Sequence, residues 1–516
     1  MNNIKNLGKI RNPYPYRIIG ILLISTVIFA CNNSKQSKES TKELPNIVFI
    51  MADDMGYGDV GSYNPHSAIP TPNMDKLASD GIMFTDAHSP SAVCSPSRYG
   101  LLTGRYSWRT RLKSAVLLGY DETPLIDEGR TTLASLLKAK GYTSAGIGKW
   151  HVGLNWQTKN GYALQDDLNE SEDYSGVVKE NEENIDFSKP VSGGPIDLGF
   201  DYFFGTFGCS TSDPPYAFIE NQHTVGVPSV LIPDSLDQLP GVVKGLMVPN
   251  WSEENVDLEF TQKAIEFIDK TQKANSKKPF FLYLALSSPH IPFLPPEFVK
   301  GKSKEGPRGD LVSVVDWSVG KITETLEQYN LSKNTLVIVT SDNGPRKGAN
   351  GHLSAGNLKG YKGSIWEGGH RVPFIARWPD RIKKGTTSDQ VISLTDMFAT
   401  FSKLTGATAK GGEDSYNVLP AFFSEKVNES DTQVRIFHSY TGTFAIRKGK
   451  WKLIEGETKG EGTGISKDEP KTKGELYDLS SDPYETTNLW ESKPQTVLEL
   501  TKLLSKCKET ESVLNL

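Results

Sequence analysis

Four short polar clusters in this chain could share one reaction, because each directly follows an apolar, β-branched run. Asp53-Asp54 follows residues 46–52, and Lys149 and His151 follow 143–148. Ser288, Pro289 and His290 close the run 280–287, and Asp342-Asn343-Gly344 follows 335–341. Such runs read as buried strands. In an open α/β sheet, ligands bind beyond the carboxyl ends of the strands, so all four clusters are expected at one mouth. Asp53, Asp54, Asp342 and Asn343 offer only oxygen donors, three of them carboxylates. That set suits a hard cation such as Ca2+ or Mg2+ and does not suit soft-ligand zinc. Each pair alone also occurs in ordinary turns; their common position after strands gives them weight.

A further segment, Cys94-Ser95-Pro96-Ser97-Arg98, continues as Tyr99-Gly100-Leu101-Leu102-Thr103-Gly104-Arg105. From Ser95 it reads as a helix start, which sets residue 94 at the positive end of a helix dipole. Arg98, one turn on, can reach back to that side chain with charge-assisted hydrogen bonds. Cys-x-Pro-x-Arg with this continuation resembles the signature of formylglycine-dependent sulfatases, in which the cysteine is oxidised to an aldehyde. The resemblance runs from Pro45 to about Asn488 and includes Pro45-Asn46-Ile47-Val48, Thr71-Pro72-Asn73-Met74-Asp75, Gly148-Lys149-Trp150-His151 and Ser341-Asp342-Asn343-Gly344. It is nearest in flavour to the arylsulfatase A and N-acetylgalactosamine-6-sulfatase branch.

The resemblance implies a set of roles. One Ca2+ would be held by Asp53, Asp54, Asp342 and Asn343 together with residue 94. A thiol would be a poor reagent, because its sulfur–sulfur adduct has no easy exit. A hydrated aldehyde offers one hydroxyl to attack sulfate sulfur and a second to expel sulfate afterwards. His151 is implied as the base for that collapse, His290 as the acid for the leaving alcohol, and Lys149 and Lys362 as partners of the sulfate oxygens. The family also has a Ser near the sulfate after a Phe-Gly turn. Here Phe204-Gly205 leads into Thr206-Phe207-Gly208-Cys209-Ser210-Thr211-Ser212 with a different spacing, so Ser210 is the choice, with Cys209 or Ser212 as alternatives. His352 and His223 are candidates for sugar contacts from loops. The stretch 366–371 reads as structural support. The implied substrate is a sulfated polysaccharide or glycosaminoglycan, with 6-O-sulfated galactose or N-acetylgalactosamine favoured, and the implied partner is a formylglycine-generating maturation enzyme. Two other readings stay open: a phosphodiesterase or phosphonate hydrolase of the same superfamily, and a catalytically dead glycan-binding lipoprotein.

The elements that must position these residues follow from periodicity. Helices are expected over 131–140, 252–273 and 310–328, and one begins at Thr71-Pro72 and stops at Gly81. Strands alternating with helices give an α/β fold with a mainly parallel sheet covered on both faces. The resemblance makes this an alkaline-phosphatase-like α/β/α sandwich over 45–429, with a smaller α+β domain over 430–516. In the latter, 437–446 and 451–454 are expected as antiparallel strands around Lys448-Gly449, with a short strand near Leu476, a solvated insert at 456–474 and a helix at 493–508.

Lys and Arg number 57 against 62 Asp and Glu, a balance that leaves no global field for nucleic acid. Four cysteines, Cys31, Cys94, Cys209 and Cys507, are too few for a disulfide framework. Lys5, Lys9, Arg11 and Arg17 precede the apolar stretch 18–30, as in an export signal and too short for a comfortable membrane span. Its end, Ile28-Phe29-Ala30-Cys31, resembles a bacterial lipobox. That predicts a signal over 1–31, lipidation at Cys31, a polar tether over 32–44, and a membrane-anchored lipoprotein in the periplasm or on the outer surface.

Overall fold

The computed structural model describes residues 43–120, 123–164, 174–275, 277–408, 410–427, 432–456 and 473–515. The signal, Cys31 and nearly all of the tether lie outside the described residues, as does most of the insert at 456–474. Residues 44–516 form one compact unit.

A ten-stranded mixed sheet runs through it. In chain order its strands are β1 (Asn46–Ala52), β2 (Ile82–Phe84), β3 (Thr143–Lys149), β4 (Tyr202–Thr206), β5 (Ile219–Glu220), β6 (His223–Thr224), β7 (Phe280–Ala285), β8 (Thr335–Ser341), β9 (Phe374–Arg377) and β10 (Thr386–Ser388). Their spatial order is β10-β2-β9-β8-β1-β7-β3-β4-β5-β6. The five central strands β8, β1, β7, β3 and β4 are parallel. Antiparallel pairings appear only beyond them, where β9 joins β8 and β5 joins β4.

Both faces of β1 are apolar, as a central parallel strand requires. Ile47, Phe49 and Met51 pack toward α2 (Cys94–Thr103) and α3 (Leu133–Lys138) through Tyr99, Leu102, Leu133 and Leu137. Val48, Ile50 and Ala52 pack the other way, toward Met74 of α1 (Pro72–Ser79), Phe260 of α4 (Val256–Asn275) and Val315 of α5 (Pro307–Gln328). The result is the expected α/β/α sandwich. Each large apolar side chain buried in it contributes about 1.5–3 kcal/mol over leaving it in water.

The C-terminal sheet has four antiparallel strands: β11 (Val434–His438), β12 (Phe444–Lys448), β13 (Trp451–Glu455) and β14 (Gly474–Asp478). Residues 437–446 are therefore not one strand. They hold the end of β11, a turn at 439–443 and the start of β12, because Ser439 N–H and O both bond within that turn. One sheet face packs on α6 (Pro494–Glu509) through Leu500, Leu504 and Cys507. The other covers Ile365 and Trp366. The segment 366–371 is support, as expected. Its Glu367 carboxylate takes Lys452 at 3.0 Å, and Trp366 Nε1 donates to Glu475 at 2.8 Å.

Candidate active site

The parallel strands end together, and backbone bonds lock their ends. Asp53 N–H donates to Ser288 O at 3.0 Å, and Asp342 N–H to Ala52 O at 3.1 Å. Trp150 and His151 N–H donate to Thr206 O and Phe207 O. Asp54 (φ 70°) and His151 (φ 57°) leave their strands in left-handed backbone, which costs a non-glycine residue roughly 1–3 kcal/mol. Gly148 (φ 113°) allows the close approach of β3 to β7, since a Cβ there would lie 1.9 Å from Ala285 O. Helix α2 starts at Cys94 itself, after an extended Val93 cap, and stops at left-handed Gly104. Residue 94 thus lies in the first turn, where backbone N–H groups favour negative charge.

Every acidic group here is buried and held by a cation. Lys149 Nζ donates to Asp53 Oδ2 at 2.5 Å, and Lys362 Nζ to Asp54 Oδ1 at 2.6 Å. Arg98 donates to Asp342 Oδ2 from Nε at 3.0 Å and from Nη2 at 2.8 Å, and to Lys149 O from Nη1 at 2.8 Å. Arg98 was expected to turn toward residue 94. It turns first to Asp342, whose Oδ2 accepts from both Nε and Nη2, because a doubly donated, charge-assisted guanidinium–carboxylate contact is the stronger partner in a buried site. Asn343 Nδ2 donates to Asp54 Oδ1 at 2.8 Å. After these bonds, Asp53 Oδ1, Asp54 Oδ2 and Asn343 Oδ1 remain buried with no hydrogen-bond partner among the described residues. A buried polar atom left unmatched costs about 1–3 kcal/mol, so three in one place mark a binding centre for something electropositive.

The charges are uneven. Burial raises the Asp53 pKa, but Lys149, His290 and Arg98 outweigh it and hold the carboxyl below its usual range. Burial, then the Asp53 charge, push Asp342 up to about 8 against Arg98. Burial and Lys362 lower His290 to about 4. Burial also works to raise the Cys94 thiol, yet Cys209, Lys149 and His151 carry it well below the ordinary cysteine value.

A second group of donors faces the carboxylates. Cys94, Cys209 and His151 place ligand atoms within 4.8 Å of one another. Cys209 Sγ lies 3.9 Å from His151 Nδ1 and 3.9 Å from His290 Nε2. His290 Nε2 in turn lies 3.9 Å from Asp54 Oδ2. The structure therefore brings together Asp53, Asp54, Cys94, Arg98, Lys149, His151, His290, Asp342, Asn343 and Lys362.

Three expected contacts fall elsewhere. Ser210 is not the residue of its segment that enters the site. Its hydroxyl pairs with Thr206 Oγ1 at 2.5 Å, and the Cys209 sulfur occupies the position facing Cys94. His352 is not free for a sugar hydroxyl: Nε2 bonds Asp59 Oδ1 at 2.8 Å, and Nδ1 accepts from Ala68 N–H at 3.4 Å. Asp59 is further clamped by Arg308 at 2.7 Å, so the ring belongs to a buried loop lock. Replacing His352 by Ala should leave KM for substrate unchanged while lowering stability by about 1–3 kcal/mol, read by denaturant unfolding. A KM change of tenfold at unchanged stability would contradict this placement. His223 is exposed on β6, two strands outside β4 and about 10 Å from it. The β5–β6 turn at Asn221 bonds back to Phe203, away from the catalytic end.

Arg346, not anticipated from the sequence, lies with Nε 3.8 Å from Asp54 Oδ2. Its only sequence signal is its place three residues after Asn343. A cavity of about 470 Å3 lined by Thr143, Asp201, Lys263 and Phe267 opens near the amino end of β3 and holds none of these groups.

Residues 45–407 match the family described as Sulfatase. The chain belongs to the sulfatase family. Residues 361–511 of this sulfatase also match the C-terminal region of N-sulphoglucosamine sulphohydrolase. It is 32% identical to an N-acetylgalactosamine-6-O-sulfatase of Bacteroides thetaiotaomicron, over 95% of this chain and 99% of that one. It is 32% identical to human arylsulfatase A, over 86% of this chain and 83% of that one. Among solved structures it resembles a Bacteroides thetaiotaomicron protein from a study of glycosaminoglycan metabolism, with a TM-score of 0.77 and 30% identity over 91% of this chain and all of that one. This sulfatase hydrolyses sulfate esters and has the alkaline-phosphatase-like fold.

Proposed function

We propose that this sulfatase removes O-sulfate from sugars, with 6-O-sulfated N-acetylgalactosamine or galactose as its favoured target, using a formylglycine made from Cys94 and one Ca2+. The observation that carries the reading is the trio of buried oxygens that find no partner among the described residues, beside the first turn of α2. The donors fit Ca2+, being carboxylate and amide oxygens with no sulfur among them. Asp53, Asp54, Asp342 and Asn343 would hold it. Bound there, Ca2+ would supply Lewis acidity toward sulfate and toward an oxygen nucleophile. The hydrated aldehyde of residue 94 would supply that nucleophile and a second hydroxyl for the release of sulfate.

The side chains of this sulfatase supply the rest. Lys149 and Lys362 each sit against a carboxylate and face the site. They can share their remaining N–H groups with sulfate oxygens as charge builds there. His290 Nδ1–H is held by Ile291 O at 2.8 Å, which leaves Nε2 for proton transfer to the leaving oxygen. His151 Nε2–H is held by Leu117 O at 2.7 Å, which leaves Nδ1 as the acceptor for the proton released on collapse. The reading includes a maturation enzyme for Cys94, export through residues 1–31 and a lipid anchor at Cys31.

Cation binding should be linked to protons. Between the usual 3.8 and about 8, Asp342 keeps a proton in the folded state that the unfolded chain has released. Cation-free protein therefore loses stability from this group as pH rises through that window, and Ca2+ must displace the proton. The apparent Kd for Ca2+ should fall roughly tenfold per pH unit up to about pH 8 and level off above it. Calorimetric titration in buffers of different ionisation heat checks this; a pH-independent Kd with no proton release would contradict it.

The similarity to an N-acetylgalactosamine-6-O-sulfatase over nearly the full length of both chains supports the substrate assignment. Sulfate release from 6-O- and 4-O-sulfated N-acetylgalactosamine, 6-O-sulfated galactose and a phosphate diester tests it. The 6-O-sulfates should lead by tenfold or more in kcat/KM, about 1.4 kcal/mol. A lead for the 4-O-sulfate would overturn the substrate, and a lead for the diester would overturn the reaction.

A further inference from the structure

The site carries two donor sets of opposite character. The carboxylates and Asn343 are hard. Facing them, the thiols of Cys94 and Cys209 and the imidazole of His151 have ligand atoms mutually within 4.8 Å. His290 Nε2 stands 3.9 Å from Cys209 Sγ. Both imidazoles are also oriented from behind. His151 gives its Nε2–H to Leu117 O and His290 its Nδ1–H to Ile291 O, so in each ring the bare nitrogen is the one that faces Cys209. Metal-binding histidines are held in this way, with the far N–H tied to a carbonyl and the near lone pair free.

Two thiols and two imidazoles form a zinc-type donor set. With Zn–S near 2.3 Å and Zn–N near 2.0–2.1 Å, sulfur and nitrogen ligands of a tetrahedral ion lie roughly 3.5–3.8 Å apart. The Cys94, Cys209 and His151 ligand atoms lie within 4.8 Å of one another, so closing these three around an ion asks for side-chain shifts of about 1 Å or less, whereas His290, 3.9 Å from Cys209 but outside that mutual group, must turn further to join them. All four residues are buried, and Cys94 and Cys209 form no disulfide.

We propose that, while residue 94 is still a cysteine, this cluster is a binding site for a soft divalent cation such as Zn2+, ligated by Cys94, Cys209 and His151 with His290 as the fourth donor. Each thiol gives its proton to solvent on ligation. Nothing is oxidised or reduced. The binding needs only the thiol form; it shares Cys94, His151 and His290 with the catalytic reading but does not require that reading to hold. Conversion of Cys94 to an aldehyde removes a thiolate and so dismantles the site. Zinc would then occupy the folded, unconverted chain and would leave the converted one.

The test uses the full chain, with residue 94 shown by peptide mass to be cysteine, stripped with chelator and titrated with Co2+ and then with Zn2+. The expected result is a thiolate-to-cobalt charge-transfer band that saturates at one equivalent and is erased by Zn2+. Cobalt on the carboxylates gives no such band, so the hard site cannot imitate it. Cys209→Ser, checked for native thermal unfolding, should weaken binding by at least about 100-fold, the upper end of what loss of a supporting partner costs. Cys507→Ala, at a buried thiol elsewhere, should leave the band intact. The absence of a band in the thiol form, or a band lost in Cys507→Ala and kept in Cys209→Ser, would overturn the proposal. If Cys209→Ser fails to fold, Cys94→Ser gives the same decision: a band of unchanged affinity in it overturns the proposal.

Discussion

Replacing Cys94 by alanine should lower kcat on sulfate esters by a factor on the order of 10^6, the scale seen when a covalent nucleophile is deleted. The size follows from what remains. Lys149, Lys362 and the carboxylates would still gather sulfate and cation, so KM should move little, but no oxygen would stand in line to attack sulfur. Alanine suits the first turn of α2, and Cys94 is almost fully buried without a disulfide. The melting temperature should therefore stay within a few degrees of the parent. Single-turnover assays on an aryl sulfate measure the chemical step directly. Activity within about tenfold of the parent would remove Cys94 from the mechanism.

His290→Asn should have the second largest effect, and its size should depend on the leaving group. A general acid contributes typically about 10^2–10^4-fold. A sugar alcohol leaves as a strongly basic alkoxide and needs the proton, whereas a nitrophenol does not. The loss should therefore lie near the upper end for a 6-O-sulfated sugar and fall to about tenfold or less for nitrophenyl sulfate. Asparagine keeps a polar group beside Ile291 O and Cys209, which limits packing loss. Comparing kcat for the two substrates in parent and variant separates the roles: equal losses on both would show that His290 acts by position or binding and not by protonating the leaving oxygen.

Much of the site was readable because four strand-length apolar runs each stop at polar residues. Asn46–Ala52 and Thr335–Ser341 end as expected, and Asp53 and Asp342 follow them. Central parallel strands are apolar on both faces, so their ends stand out in a sequence. The flanks were not readable in the same way. Strands of two to four residues such as Ile82–Phe84 and Phe374–Arg377 are too short to show a period. They pair because the sheet edge supplies partners. The stretch 437–446 looked continuous because both strands are apolar and no proline or Asn-Gly pair marks the turn between them.

Loop side chains were the least legible. In Cys209-Ser210-Thr211-Ser212 four small polarisable or polar residues follow one another. Only the course of the turn after β4, with Ser212 and Asp213 N–H both bonded to Cys209 O, decides which faces the site. His352 stands between Asn343 and Lys362 in sequence, yet its ring turns to Asp59 and Arg308 because a buried carboxylate needs partners more than a pocket needs a histidine. Sequence distance placed His352 near the chemistry; burial assigned it elsewhere.

The most direct test of the account is the mass of the peptide spanning Cys94 and Arg98, taken from protein made in a host that carries a formylglycine-generating enzyme. The account predicts an aldehyde or its hydrate at residue 94, in a fraction of molecules that rises with specific activity across preparations. An unmodified cysteine in folded protein that turns over sulfate esters at full rate would contradict it.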